Sequence, residues 1–307
     1  MVLSSRELAG QLVKGNRRAL ARAITVVENG GKEAPGLLRA ISPRIGNAFV
    51  VGVTGPPGTG KSTLVDRLTE DYRKRGLRVG VVAIDPTSPI TGGALLGDRI
   101  RMVDHVMDKG VFIRSMASRG WTGGLSAAVS DVIQVLSAAG MDVILVETVG
   151  IGQSDIDIVK VAHAVMVVVM PGMGDDVQAS KAGLMEVGDV YVVNKADLPG
   201  ADATVVDLLS VAKGSKTRSP SVLKTSALKR EGVGTVVTVL EKKRAEFLSA
   251  GGVEMKLRSV EGMISEVARR KALLGLEGRQ EIVRRLAGKV MGHELTIDEA
   301  ADRLFRA

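Results

Sequence analysis

A glycine-rich loop between a β-branched run and an amphipathic run constrains the fold of this 307-residue chain more than any other feature. The loop is GPPGTGKST, residues 55–63, and it follows the apolar run 49–54. In a strand–loop–helix context, such glycines let backbone N–H groups close around phosphates at a helix N-terminus. Lys61 offers a charge to the β- and γ-phosphates, and Ser62 offers a hydroxyl to Mg²⁺. The sequence therefore predicts a nucleotide-phosphate loop, a P-loop, rather than a chance glycine-rich turn.

The alternation of short β-branched runs with amphipathic runs begins at residue 48 and is typical of a parallel sheet wrapped by helices. We therefore predict an α/β fold, a three-layer sandwich of the P-loop NTPase type with a mostly parallel sheet. The predicted strands are residues 49–54, 78–85, 111–115, 143–147, 164–170, 190–194 and 222–225. The predicted helices between them are residues 61–75, 97–107, 124–139, 176–186 and 202–211.

Helices are also predicted at both ends of the chain. Ser4 and Glu7 form a capping-box pattern, and before Gly30 stops the helix one face carries Leu8, Leu12, Leu20, Ile24 and Val27. A second capping box, Thr296 with Glu299, precedes the last helix and follows the predicted helices 236–248, 260–274 and 279–290. We predict a helical N-terminal extension (1–46), a P-loop domain (47–228) and a helical C-terminal extension (229–307). The last is a dimerisation or partner arm, or alternatively a solvated cover for the sheet.

The segment Asn194-Lys195-Ala196-Asp197 follows an apolar strand and predicts the base. The Asp197 carboxylate can accept from both N1–H and the exocyclic amine of guanine, a pair of donors that adenine lacks. Ser226 and Ala227, after the next strand, could add a backbone contact to the guanine oxygen. We therefore predict GTP and GDP as ligands.

Acidic residues at strand ends predict the metal site. Glu147 ends a buried strand that faces the P-loop, where a carboxylate can hold the water shell of Mg²⁺, and Gly150 lets the backbone approach a γ-phosphate. Asp85 ends another strand, and Asp98 follows a glycine segment typical of a mobile loop that meets Mg²⁺ and the γ-phosphate. Their alternative roles are turn formation for Asp85 and helix capping for Asp98.

Gln153 is a candidate to orient the attacking water, although Ile151 occupies the position directly after Gly150 where Ras-like GTPases carry that glutamine. We therefore expect slow hydrolysis in isolation, accelerated by a partner or a dimer contact. The only tryptophan, Trp121, lies in a glycine-rich loop, where packing under the loop is favoured over a partner contact.

The candidate site residues fall into three overlapping groups. The nucleotide-binding candidates are Gly55, Pro57, Gly58, Thr59, Gly60, Lys61, Ser62, Thr63, Gly150, Asn194, Lys195, Asp197, Ser226 and Ala227. The catalytic candidates are Lys61, Asp85, Asp98, Glu147 and Gln153. The candidate metal ligands are Ser62, Asp85, Asp98 and Glu147.

Composition excludes several other functions. The formal charge of +8 favours attraction to polyanions, but with 2% aromatic residues there is no stacking platform for nucleic acid. The chain has no cysteine and only the separated His105, His163 and His293, which excludes disulfides and thiolate metal sites. Without a signal segment or an apolar run long enough to span a bilayer, the protein is predicted to be cytoplasmic, with no membrane partner.

Six blocks in order resemble one family: GPPGTGKS, AIDPTSP, GGALLGDRIRM, ILVETVGIGQSD, MPGMGDDVQASKAGLMEVGD and VNKADLPG. They are similar to the methylmalonyl-CoA mutase-associated GTPases, the MeaB/ArgK group. The resemblance implies a homodimeric, slowly hydrolysing G-protein chaperone that gates cofactor loading of an adenosylcobalamin-dependent acyl-CoA mutase and protects the mutase. It also implies that Lys61, Asp85, Asp98 and Glu147 lie around Mg²⁺ and phosphate.

Two other functions compete with this interpretation. A nickel-type metal-insertion GTPase chaperone would need cysteine and histidine clusters, which this chain lacks. An amino-acid transport-associated ATPase or kinase is disfavoured by the guanine-reading segment and by the absence of an apolar run long enough to span a bilayer.

Overall fold

The computed structural model describes residues 3–85, 102, 105, 107–117, 127–148, 150, 158–173, 188–213, 220–249, 252–276, 279–291 and 294–306. These residues form two compact units, Met1–Met263 and Ile264–Ala307. The strands, all in the first unit, are β1 Phe49–Thr54, β2 Val79–Asp85, β3 Val111–Ala117, β4 Val143–Glu147, β5 Ala164–Val169, β6 Val190–Val193 and β7 Ser221–Lys224. The helices are α1 Ser5–Val13, α2 Arg17–Asn29, α3 Ala34–Ile41, α4 Lys61–Lys74, α5 Ala127–Ala138, α6 Ala201–Lys213, α7 Val233–Leu248, α8 Val253–Leu276, α9 Gln280–Met291 and α10 Ile297–Arg306.

Within the described part of the chain, the seven strands form one sheet in the order β3-β2-β4-β1-β5-β6-β7, and every pair is parallel. The carboxyl ends of the strands therefore share one edge, which is where ligands bind in open parallel sheets. Strands β1, β2, β4, β5 and β6 are buried along their whole length, as their near-continuous apolar runs require. The predicted three-layer α/β fold is confirmed.

Alternate residues of each central strand face opposite layers. On β1, Val50 belongs to a core that includes the apolar faces of α1, α2, α3 and α5. Its neighbours Val51 and Val53 belong to a second core, which includes residues of α4 and α7 such as Leu64 and Leu240. This period-two division follows from the pleat of a strand and produces a helical layer on each face of the sheet.

Most predicted element bounds lie within three residues of the structure, but α8 begins at Val253, seven residues before the predicted start at residue 260. Strands β1 and β4 have the predicted bounds, and the other strands differ by one or two residues at an end. The predicted helix 176–186 and most of the predicted helix 97–107 lie outside the described residues.

The N-terminal region corrects one prediction, because the single apolar face from Leu8 to Val27 belongs to two helices rather than one. Gly15, at φ +82°, breaks the helix, and the side chain of Asn16 then caps α2 by accepting from the N–H groups of Arg18 and Ala19. A further helix, α3, follows and was not predicted. The capping box at Ser4 is present as predicted.

These N-terminal helices share their core with the sheet, and α7 shares the other core with α4. The division of the chain at residues 46 and 228 stays a prediction. In the second unit, the predicted capping box is present, because Thr296 N–H donates to Glu299 Oε2 at 2.8 Å and Glu299 N–H donates to Thr296 Oγ1 at 3.2 Å. Each helix in the described ranges is too short or too polar to cross a lipid bilayer.

The start of β1, at the end of the strand away from the P-loop, is held by the half-buried His163. The N–H of Val50 donates to Nδ1 of His163 at 2.9 Å, and the N–H of His163 donates to the Val50 carbonyl at 2.8 Å. The imidazole lies 5.9 Å from the Phe49 ring and 4.1 Å from the Phe247 ring. Burial, together with the nearby Lys256 ammonium, lowers the pKa of His163 to about 4, so this ring is neutral at physiological pH.

Candidate nucleotide-binding site

The P-loop connects β1 to α4 through a backbone that has a positive φ at three glycines, and at two of them a Cβ would also clash. Gly55 has φ +138°, and a Cβ there would overlap the carbonyl oxygen of Val168 on β5. Gly60 has φ +87°, and a Cβ there would lie 2.5 Å from Nδ2 of Asn194. The loop therefore packs closely against two neighbouring strand ends, and its predicted strand–loop–helix context is confirmed.

The Lys61 ammonium lies inside the P-loop. Its Nζ donates to the carbonyl oxygens of Gly55 at 2.7 Å and Pro56 at 3.0 Å, and the residue is 6% exposed. Thr59 Oγ1 donates to the same Pro56 carbonyl at 2.9 Å, which holds the loop closed. A positive charge is thus held at the N-terminus of α4, where the helix dipole also favours an anion.

Ser62 and Glu147 meet directly beside the P-loop. Ser62 Oγ donates to Glu147 Oε1 at 2.6 Å, and both residues are buried. Glu147 pairs with Val53 on one side and Ala83 on the other, so it lies between the ends of β1 and β2. This contact confirms that β4 presents its terminal carboxylate to the P-loop.

Asp85, 4% exposed, ends β2, the strand beside β4. It lies at the same edge of the sheet as Ser62 and Glu147. Hydroxyl and carboxylate oxygens are the ligand type that Mg²⁺ prefers. Within the described ranges, no group of three or more acidic, histidine or cysteine residues is arranged so that it could hold a metal ion. These oxygen donors fit a nucleotide-bound Mg²⁺, which takes its other ligands from water and phosphate.

The segment after β4 turns back onto the P-loop at Gly150. This glycine has φ +87°, and a Cβ there would overlap the carbonyl oxygen of Gly55 and lie 2.7 Å from Lys61 Nζ. Thr148 is fixed on the way, because its N–H donates to the Val53 carbonyl at 3.0 Å. The backbone at Gly150 can therefore approach the phosphate region only because this residue has no side chain.

Asn194 joins the P-loop to the segments that are predicted to read the base. Its Nδ2 donates to the Thr59 carbonyl at 2.8 Å, while its Oδ1 accepts from Thr225 Oγ1 at 3.1 Å and from the N–H of Ala227 at 3.0 Å. The residue is 2% exposed. One buried amide thus holds together the loop after β1, the end of β6 and the loop after β7.

Asp197 is accessible at the same edge of the sheet, with 27% of its side chain exposed. A hydrogen bond from the Ser226 side chain and the ammonium of Lys229, 3.4 Å away, lower the pKa of Asp197, so it is ionised at neutral pH. Lys195 adopts φ +56°, which turns the chain between Asn194 and Asp197. The structure therefore presents a carboxylate able to accept two donors from guanine.

The loop after β7 differs in one respect from the predicted contact. The N–H of Ala227 donates to Asn194, and the N–H of Ser226 donates to the Glu231 carbonyl at 3.0 Å. Both donors that were predicted to face guanine therefore have acceptors inside the protein in this structure. The N–H of Glu231 donates back to the Ser226 carbonyl at 3.1 Å, which closes the loop into a tight bridge.

A charged group not predicted from the sequence holds this loop against α4. Arg230, at φ +62°, donates to Glu70 at 2.6 Å, and Lys74 lies 3.0 Å from the same carboxylate. Burial alone would raise the pKa of Glu70, but the hydrogen bonds from Lys74 and Arg230 lower it to about 2. No sequence pattern identifies this group, since Glu70 and Arg230 are 160 residues apart.

The structure thus brings the described candidates from the P-loop, β2, β4, β6 and β7 to one edge of the sheet. Pro57 and Gly58 are exposed at the tip of the P-loop, and Thr63 is half-buried on α4. Asp98, Gln153 and Trp121 lie outside the described residues, so their roles stay predictions.

Comparisons with known proteins agree with this geometry. Residues 20–281 match the model of one protein family, described as methylmalonyl-CoA mutase-associated GTPase MeaB. A Pyrococcus abyssi protein whose assignment as a GTPase is provisional is 54% identical over 252 residues, which are 80% of this chain and 78% of that protein. The GTPase ArgK of Escherichia coli is 38% identical over 239 residues, 74% of this chain and 72% of that protein.

Among solved structures, a LAO/AO transport system kinase has the same fold. It aligns with a TM-score of 0.73 and 24% sequence identity, over 99% of this chain and 98% of its own. At this identity the likeness extends to the fold alone.

Proposed function

The chain belongs to the MeaB family of methylmalonyl-CoA mutase-associated GTPases and is itself a GTPase, and from that premise we propose how it works. It binds GTP at the carboxyl edge of the sheet and hydrolyses it slowly. It uses the cycle to gate cofactor loading of, and to protect, an adenosylcobalamin-dependent acyl-CoA mutase, which is methylmalonyl-CoA mutase or a related enzyme. The observation that carries the nucleotide assignment is the Asn194 amide. Because it bonds to both the P-loop and the loop after β7, the phosphate and base elements form one site.

The phosphate half of the site provides charge and backbone donors. The P-loop N–H groups and the Lys61 ammonium bind the β- and γ-phosphates, and Lys61 exchanges its bonds to Gly55 and Pro56 for phosphate oxygens. Ser62, Glu147 and Asp85 would hold Mg²⁺ and its water, in agreement with the oxygen donors described above. Mg²⁺, when bound, neutralises charge on the phosphate oxygens. Asp98 and Gln153 complete this half as predictions from the sequence.

The base half provides selectivity. Asp197 accepts from N1–H and the exocyclic amine of guanine, whereas adenine would leave the carboxylate without those donors. Replacing Asp197 with Asn should shift preference from GTP toward xanthosine triphosphate, measured by competition with a fluorescent nucleotide. Lys224→Met, which changes an exposed lysine paired with Asp202, is the control. If Asp197→Asn binds GTP as tightly as the wild type, the base assignment is wrong.

A contact of α8 supports the transmission of a conformational change from the nucleotide site to the C-terminal helices. The 3₁₀ turn Ile158–Lys160 follows the segment that contains Gly150 in the sequence. On α8, the buried Ser259 Oγ donates to the Val161 carbonyl at 3.2 Å, and a Cβ on Gly262 would overlap the Lys160 carbonyl. We infer that rearrangement after β4 on hydrolysis changes this contact and so reaches the partner.

An exposed apolar stripe on α8 supports a homodimer. Val253, Leu257 and Val260 are 66%, 50% and 51% exposed, and their spacing of four and three residues is that of a coiled-coil seam. Leu257→Lys should convert a dimer to a monomer in sedimentation equilibrium, whereas Glu261→Lys on the same helix should not. A dimer that survives Leu257→Lys unchanged would place the interface elsewhere.

The partner assignment rests on the family and needs a direct test. We expect the protein to co-elute with methylmalonyl-CoA mutase in size-exclusion chromatography, with different retention in GDP and in a non-hydrolysable GTP analogue. Lys61→Ala is the control, because without the P-loop ammonium it should bind the GTP analogue poorly, so its retention should not differ between the two nucleotides. Absence of co-elution in either nucleotide would remove this mutase as the partner.

The competing functions have less support. A nickel-insertion chaperone would need a soft-ligand cluster, but the chain has no cysteine, and among the described residues no group of three or more histidine or acidic side chains could hold a metal ion. A transport kinase shares the fold but does not explain the carboxylate presented for guanine. A cytoplasmic location stays a prediction.

A further inference from the structure

The Asp197 carboxylate, which we assign to guanine recognition, has a charged neighbour outside the nucleotide-binding motifs. Lys229 Nζ lies 3.4 Å from Oδ2 of Asp197, and the buried Ser226 side chain also lowers the pKa of this carboxyl. Lys229 lies two residues beyond Ala227, outside the segment predicted to contact the base. Its ammonium therefore acts on Asp197 from the loop after β7 rather than from the Asn194–Asp197 segment itself.

The Asp197 carboxylate has enough acceptor positions to bind guanine, Ser226 and Lys229 at the same time. An ionised carboxylate offers about four lone-pair positions on its two oxygens. Guanine requires two of them, one for N1–H and one for the amine. Ser226 and Lys229 can take the other two, so their bonds do not compete with the base but fix the direction in which the carboxylate faces.

The position of Lys229 is itself set by its neighbours in the loop. The paired backbone bonds between Ser226 and Glu231 close the loop, and Arg230 is held by Glu70 on α4. The lysine side chain is 55% exposed, so its interaction with Asp197 is partly screened by solvent. Its effect is therefore expected to be modest and sensitive to salt.

We propose that Lys229 is a positioning residue for base selection: with Ser226, it orients the Asp197 carboxylate so that both oxygens face the guanine edge. The proposal rests on the assignment of Asp197 as the guanine-reading residue. Lys229 should therefore matter most for recognition of the exocyclic amine. If the Asp197 carboxylate turns away from the guanine edge, it can still accept from N1–H but no longer from the amine as well.

Inosine diphosphate tests this directly, because inosine keeps N1–H and lacks the exocyclic amine. The ratio of GDP to IDP affinity is measured by calorimetry in the wild type, Lys229→Met, Lys229→Arg and Lys224→Met. Lys229→Met should lower the ratio by about twofold to fivefold, the range for a partly exposed ion pair. Lys229→Arg should restore the ratio, and Lys224→Met, which breaks the exposed pair with Asp202, should leave it unchanged.

Two outcomes would overturn the proposal. Equal loss of GDP and IDP affinity in Lys229→Met would mean that the lysine only supports the loop, and unchanged affinity for both nucleotides would mean that it does not act on the carboxylate at all. Failure of the underlying assignment looks different, since a wild type that binds ADP as tightly as GDP would show that Asp197 does not read guanine. Raising the salt concentration should lower the ratio of GDP to IDP affinity in the wild type, because salt screens the Lys229–Asp197 pair, and should leave that ratio unchanged in Lys229→Met.

Discussion

The two halves of the nucleotide site differ in how deeply their charged residues are buried. The phosphate half contains Lys61 and Glu147, and the base half contains Asp197 and Lys229. In the phosphate half, Lys61 and Glu147 are 6% and 5% exposed and are held by bonds at 3.0 Å or less. In the base half, Asp197 and Lys229 have side chains 27% and 55% exposed and lie 3.4 Å apart. Charges that are already desolvated act strongly, whereas charges at the rim are screened. Turnover and stability should therefore depend on the first half, and fine selectivity on the second.

The largest effect should come from removing the buried charge of the phosphate half. Lys61→Ala should reduce kcat/KM for GTP hydrolysis on the order of 10²–10³-fold, because the ammonium acts where negative charge develops in the transition state. Phosphate release is the measurement. Lys74→Ala, on the same helix but with a side chain 63% exposed, is the matched control and should hydrolyse GTP nearly as fast as the wild type. Retained turnover in Lys61→Ala would exclude the P-loop lysine from the reaction.

The residue that links the two halves should show the next largest effect. Asn194→Ala leaves the Thr59 carbonyl, the Thr225 hydroxyl and the Ala227 N–H without their partner, so the free energy of unfolding should fall by about 2–4 kcal/mol. Asp197→Ala, at the exposed end, should change it by less than about 0.5 kcal/mol. Urea denaturation measures both. If Asn194→Ala and Asp197→Ala lowered the free energy of unfolding equally, the buried Asn194 would not be structurally more important than the exposed Asp197.

Mild acid should lower the stability of the protein through His163, at the start of β1. The folded-state pKa of His163 is about 4, below its ordinary value of 6.5, so the unfolded chain takes up the proton first. Stability should consequently fall as the pH drops from about 6.5 to 4, by about 2–3 kcal/mol from this group. Urea midpoints across this range measure the loss.

His163→Gln supplies the control for this pH effect, because it keeps an acceptor for the Val50 N–H and does not titrate. The variant should lack this part of the pH dependence. A wild type and a variant with parallel pH profiles would show that other groups cause the loss.

The smallest effect should come from the exposed charges of the base half. Arg230→Met removes the partner of Glu70 and should lower GDP affinity by less than about fivefold, with the difference disappearing as salt is raised. Arg67→Met, which changes another arginine near Glu70 on α4 itself, is the comparison that leaves the loop after β7 in place. A loss from Arg230→Met that persists at high salt would mean that the base half is as strongly held as the phosphate half.

The same contrast explains what the sequence could predict. The P-loop, the strand that ends at Glu147 and the guanine-reading segment were predictable because each is a local pattern on a buried strand, where apolar runs define the bounds. Lys229 and Arg230 were not, because their partners come from distant segments and their residue types are ordinary for a surface. The break at Gly15 was missed because the apolar face continues across it, and only the backbone angle and the Asn16 cap reveal two helices.

The Asn194 amide also limits how this site could change during evolution. Aspartate lacks the donor that reaches Thr59, a small apolar residue lacks both donor and acceptor, and glutamine is one methylene longer in a position that is 2% exposed. Every single replacement therefore loses a bond or overfills a packed space, and restoring it would require matched changes in the loops after both β1 and β7. New base preferences would arise more readily at Asp197 and its exposed neighbours, where one codon can change without disturbing the interior.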